Sequence, residues 1–222
     1  MTDLTYPARS LTTSWPPPRR IAALAGIAAP LIFLAGIILA TWLAWDYLHA
    51  RGWSVLDQGD VPWPSGTALA EHGWVQSANF ALTGTLLFLF VRTMRREFRR
   101  RIAGRIAGTL LTVLAVALAL SAFNTDRAFG DAPSTWNGWV HALAFFAIML
   151  SSLIGMPATA LALRGNERWR GFPLGAVCVA LLIPVGFAIP GGAGFYLFLL
   201  ALFGWFELAA LRLWKLSRRE TP

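Results

Sequence analysis

Three histidines, His49, His72 and His141, and six acids, Asp46, Asp57, Asp60, Glu71, Asp126 and Asp131, fall in or beside the same two connecting segments of an otherwise apolar chain. Imidazole and carboxylate are ligands that Zn²⁺ accepts, and three of them with a bound water would make a hydrolytic centre. No two of the histidines have the i, i+4 spacing that sets a ligand pair on one helix face, so the residues assign no metal and no cofactor.

Asp126 and His141 are the better-matched pair. The first ends one apolar run and the second lies in the first turn of the next, so the loop between them can bring them together. A carboxylate that orients an imidazole would make His141 a base or a ligand. The alternative is a hydrogen bond that fixes a helical hairpin, with Asp126 neutralised by Arg127. Gln76, Asn79 and Asn124 lie at similar depth, and Asn79, Asn124, Asp126 and His141 together form the candidate polar pocket. Amides also join membrane helices where no ligand binds, so that reading stays open beside the pocket. Glu207 is the one charged-type residue well inside an apolar run. An intramembrane carboxylate raises the possibility of a proton relay, but no second ionisable group shares its depth, and pairing with Arg212 a turn away is the simpler expectation. Cys178 is the single cysteine, so no disulfide within the chain is possible, and it reads as a small packed hydrophobe.

The elements that must position these groups are set by composition. The chain is 56% hydrophobic and 14% charged, with a mean hydropathy of +0.56, whereas soluble domains carry about a quarter charged residues. Charge-free runs at Ile21–Trp45, Trp74–Val91, Ile106–Phe123, Trp139–Leu163, Phe172–Ile189 and Ala193–Leu211 predict six transmembrane helices in an all-α bundle over residues 21–216. Ile21–Trp45 is too long for the roughly 7 to 15 apolar residues of a signal peptide and reads as an uncleaved first span. Residues 1–20, with Pro16, Pro17 and Pro18, read as a flexible tail. Pro30, Pro157 and Pro184 should kink their spans, and Gly104-xxx-Gly108 offers a face for close helix approach.

Lys and Arg near span ends stay on the cytoplasmic side. Arg9, Arg19 and Arg20; Arg92, Arg95, Arg96, Arg99, Arg100, Arg101 and Arg105; Arg164, Arg168 and Arg170; and Arg212, Lys215, Arg218 and Arg219 all share one side under this map, 17 of the 19 basic residues. Both termini are therefore expected in the cytoplasm, with the segments 46–73 and 124–138 outside. Trp42, Trp45, Trp53, Trp63, Trp74, Trp136 and Trp139 gather at the outer interface, as amphipathic rings do. The run Met94–Arg105 reads as a topogenic anchor that meets anionic lipid headgroups, not as a nucleic-acid site.

Two stretches resemble a bacterial membrane family known as domain of unknown function 998. They are Ser54 through Gly84, ending Gln76-Ser77-Ala78-Asn79-Phe80-Ala81-Leu82-Thr83-Gly84, and Phe123-Asn124-Thr125-Asp126 followed by Gly138-Trp139-Val140-His141. The ending Gly194-Phe195, Gly204-Trp205 and Leu211-Arg212-Leu213 is also similar. The family's Ser-x-Leu-Gly stands here as Ser54-Val55-Leu56-Asp57. The resemblance, over residues 22 to 216, implies a six-span bundle in the bacterial inner membrane and assigns no activity.

The reading that needs fewest residues is a non-catalytic membrane protein whose bundle presents an outward polar pocket to a lipid headgroup or partner protein. A metal- or water-dependent lipid-modifying enzyme at the outer interface competes with it. A small transporter is the third reading, for which no internal repeat or pair of interrupted spans is found.

Overall fold

A computed structural model describes residues 18–98, 101–126 and 132–219, so the expected tail lies almost wholly outside the described residues, as do Arg127 and Asp131. The described chain is all-α, with no strand. Helix α1 is Arg19–Leu43, α2 Trp45–His49, α3 Trp74–Met94, α4 Arg101–Leu120, α5 Trp136–Leu163, α6 Phe172–Ala180, α7 Leu182–Ala188 and α8 Gly191–Arg218. Short 3-10 turns occupy Ser65–Leu69, Arg95–Glu97 and Glu167–Trp169.

Five of the helices, α1, α3, α4, α5 and α8, are long and apolar enough to cross a membrane. The fifth predicted run, Phe172–Ile189, is instead two short helices. Pro184 has no N–H to give the carbonyl four residues back, and α6 ends at that residue, Ala180. Together α6 and α7 cover Phe172–Ala188, about 25 Å at roughly 1.5 Å per residue. Pro30 and Pro157, by contrast, lie inside unbroken assigned helices.

Helix α1 packs on α3 and α8, α3 on α4, and α4 on α5; α7 leans on α8 and only grazes α5. The core runs down the middle of the bundle, where Trp205, Phe206, Phe90 and Leu87 have no exposure and Phe33 stacks on Phe203 at 4.3 Å. Gly84 brings α3 against α4: a Cβ there would lie 2.7 Å from Ala115 O. The other side of each helix is apolar and exposed, with Leu34, Ile38, Leu143, Phe146 and Leu200 each more than half exposed. Such a belt has no place against water and suits hydrocarbon. Cys178 is also exposed, on α6, and is not the packed residue expected.

The connecting segments gather at two opposite ends. At one, Gly192 N donates to Leu56 O at 3.3 Å, joining the start of α8 to the segment after α2. At the other, Arg212 Nε and Nη2 donate to Arg168 O at 3.1 and 2.6 Å. This basic end contains an acid the sequence reading passed over. Glu97 is 4% exposed; the Arg19 guanidinium lies 2.7 Å from its Oε1, and Trp169 Nε1 donates to its Oε2 at 3.0 Å. Asn166 Nδ2 donates to Glu97 O at 3.0 Å, so one residue ties the start of α1, the end of α3 and the turn after α5. Gly104 and Gly108 face that same corner. A Cβ at Gly104 would lie 2.9 Å from Phe98 Cβ, and one at Gly108 2.8 Å from Arg95 Nε. The atoms nearest these glycines belong to the side chains of the preceding turn.

Candidate functional site

At the end opposite Glu97, the segment after α2 folds down over the bundle because its aromatic residues have somewhere dry to go. Trp53 sits 6.2 Å from Trp45 and 6.1 Å from Trp63, and Trp63 meets Tyr196 of α8 edge-on at 5.3 Å. Trp63 Nε1 donates to Thr41 Oγ1 at 3.0 Å, which satisfies a polar atom that burial would otherwise penalise. Past this anchor the chain makes the turn Ser65–Leu69. Asn124 Nδ2 holds the turn's far end by donating to Ala68 O at 3.3 Å, while Ser77 Oγ donates to Asn124 Oδ1 at 2.6 Å.

His141 holds the near end of the turn, and its partners fix its tautomer. Nδ1 lies 3.0 Å from Ser121 O and 2.7 Å from Phe123 O, two carbonyls left free where α4 ends. Carbonyls only accept, so Nδ1 carries the hydrogen. In the neutral ring Nε2 is then the acceptor, and Ser65 Oγ donates to it at 2.8 Å. His141 is 9% exposed, and Phe80 meets its ring edge-on at 6.0 Å.

Asp126 does something else. Its Oδ2 accepts from Ser134 N at 3.1 Å, Ser134 Oγ at 3.1 Å and Thr135 N at 2.6 Å. Thr135 is the N-cap of α5, its Oγ1 accepting from Gly138 N at 3.2 Å. Asp126 therefore braces the start of α5, where a negative charge also meets the positive end of the helix dipole. Hydrogen bonds from the Thr135 hydroxyl first, then from its backbone N–H and from Ser134, outweigh partial desolvation and hold the carboxyl at about 2. Gly138 explains the glycine three residues before His141: a Cβ there would collide with the Asp126 carboxylate. The expected contact from Asp126 to His141 is not made; backbone carbonyls orient the imidazole instead.

Beneath the turn lies a cavity of about 690 Å³. Asp57, Gln58, Ser65 and His141 line its loop end, and Phe33, Phe145, Phe198 and Phe203 are among the side chains that line the rest. The lining also includes Phe146 of α5 and Phe187 of α7, which are 64% and 40% exposed, and these two helices barely touch. Of the four residues of the expected polar pocket, His141 alone lines this space. Asn79 donates to Phe33 O at 3.1 Å and to Gln76 Oε1 at 3.4 Å, between α1 and α3. Asn124 and Asp126 brace the surrounding segments. Ser65 was missed because Trp63-Pro64-Ser65-Gly66 reads as turn chemistry, and only folding sets its hydroxyl against a histidine 76 residues away.

The other candidates do not assemble. His49 Nδ1 contacts Trp45 O at 3.0 Å and the ring lies 4.1 Å from that of Trp45, while His72 is exposed. Among the described residues no group of three or more His, Cys, Asp or Glu could hold a metal ion. Arg212 does not pair with Glu207: it turns to the carbonyls of Arg168 and Arg170, and Glu207 Oε2 has no hydrogen-bond partner among the described residues.

No curated protein and no solved structure matches the chain. Helices of this kind, the brace at Asp126 and Gly138 and the histidine that follows them extend through the stretch 27–214, which matches the family described as Protein of unknown function (DUF998), and the chain belongs to that family.

Proposed function

We propose that this is a six-pass protein of a bacterial plasma membrane, with both termini in the cytoplasm, whose cavity takes up an amphiphile from the outer leaflet. Two contacts support six passes. Helix α8 starts beside Leu56 and ends beside Arg168, so α6 and α7 together lead from the basic end back to the other. The basic end meets anionic headgroups of the inner leaflet, and its arginines keep it there.

The single observation that carries the ligand reading is the cavity's polarity: aromatic walls and hydrogen-bonding groups near the loop end; the entry route in this reading runs between α5 and α7, which barely touch. An acyl chain gains little by leaving lipid for an apolar cavity, since both surroundings are apolar. Selection must therefore come from the head, where the side chains of Asp57 and Gln58 and the oxygen of Ser65 offer hydrogen-bonding atoms. The test is lipid analysis of protein purified in mild detergent. Wild type is expected to retain amphiphile at a fixed ratio. Ala142→Trp, which fills the cavity, should lose it, and Leu200→Trp on the exposed face of α8 should not. Equal retention by all three would refute the proposal.

A further inference from the structure

We infer that Ser65 and His141 form a nucleophile–base dyad that hydrolyses a carboxylic ester of the amphiphile held in the cavity, an activity that rests on the binding reading above. The pieces are those that serine acyl transfer needs. The hydroxyl is within hydrogen-bond reach of a base at 2.8 Å, and the base is aimed by a further partner. Here that partner is a pair of backbone carbonyls, Ser121 O and Phe123 O, on Nδ1. Once Nε2 takes a proton, the same two carbonyl dipoles face the imidazolium, with no carboxylate required. Ser65 is half-buried on the cavity wall, so its oxygen is reachable from the space an ester would occupy.

Gln58 lines the same end of the cavity, its side-chain amide beside the Tyr196 hydroxyl. An amide N–H there can also donate to a carbonyl oxygen that becomes an oxyanion.

The reaction balances with water alone. Ser65 Oγ bonds to the ester carbonyl carbon as its proton passes to His141 Nε2. The tetrahedral oxyanion collapses, the carbon–oxygen bond to the alcohol breaks, and His141 protonates the departing alcohol. Water then attacks the acyl-Ser65, giving its proton to Nε2. The acyl–oxygen bond breaks, Ser65 Oγ recovers the proton, and a carboxylic acid leaves.

The test uses full-length protein in mild detergent, an alkyl fluorophosphonate carrying a reporter, and lipid analysis of the same samples. Serine displaces fluoride from phosphorus, marking an activated hydroxyl. Wild type should be modified on the peptide containing Ser65, Ser65→Ala should not be, and His141→Gln should react about 10² to 10⁴ times more slowly, the usual worth of a general base. Ser65→Ala should elute as a single species in mild detergent and keep the wild-type circular dichroism melting profile, which shows that it is folded. Folded, loaded wild type that stays unmodified overturns the dyad and leaves the binding reading standing. Modification undiminished in Ser65→Ala overturns it as well. Wild type that is folded yet neither loaded nor modified overturns both.

Discussion

Replacing Glu97 with Ala should destabilise the basic end of the bundle more than any single arginine there would. Trp169 has no exposure, so its Nε1 loses its acceptor with no water to replace it, at about 1–3 kcal/mol. The Arg19 side chain is 30% exposed and can turn to solvent or headgroups, so the lost ion pair adds only about 0–1 kcal/mol. The total is about 1–4 kcal/mol. Glu97→Gln keeps an oxygen for Trp169 and gives up the charge alone, at about 1 kcal/mol or less. Reversible unfolding in mixed micelles, followed by circular dichroism as the denaturing detergent fraction rises, would rank the variants. The order wild type, Gln, Ala in falling stability is expected. An Ala variant as stable as wild type would refute the idea that one carboxylate ties α1, α3 and the turn after α5.

Three other outcomes follow from the contacts. The Asp126 carboxyl is held below its unfolded value, so its bracing of α5 is fully present above about pH 4, the unfolded range, and is lost as pH falls through about 2. Carboxyl NMR should report that titration, and Asp126→Asn should weaken the brace at every pH above it. Gly84→Ala sets a Cβ 2.7 Å from Ala115 O and should lower stability by about 1–3 kcal/mol as α3 and α4 separate, read as a fall in Tm. Single cysteines placed at Trp136 and Arg96 should react with a membrane-impermeant thiol reagent on intact cells only at Trp136, in a background where Cys178 is replaced by Ala.

What was legible in the sequence was whatever one residue's neighbours decide. The spans show because lipid demands long apolar runs, but the three prolines read alike, as kinks, and only Pro184 falls where the helix divides, within Phe172–Ala188. The segment between α1 and α3 read only as loop, although it holds α2 and the turn Ser65–Leu69, because aromatic contacts across the fold shape it more than local propensity does. His141 was visible as a candidate, yet its partners were not. Spacing suggested Asp126, whereas the free carbonyls at the end of α4 and a serine 76 residues away supply its hydrogen bonds. Glu97 escaped notice among arginines, since its link to Trp169 spans 72 residues. Glu207 and Arg212 show the converse case: helical proximity suggested a pair, and the carbonyls after α5 outcompete it.

The most direct measurement is a density map of the protein in nanodiscs made from its native membrane, at a resolution that shows side chains. Elongated density entering between α5 and α7, with its polar end against Ser65 and His141, is the predicted result. A cavity closed by Phe146 and Phe187, or holding nothing beyond scattered solvent, would contradict the account.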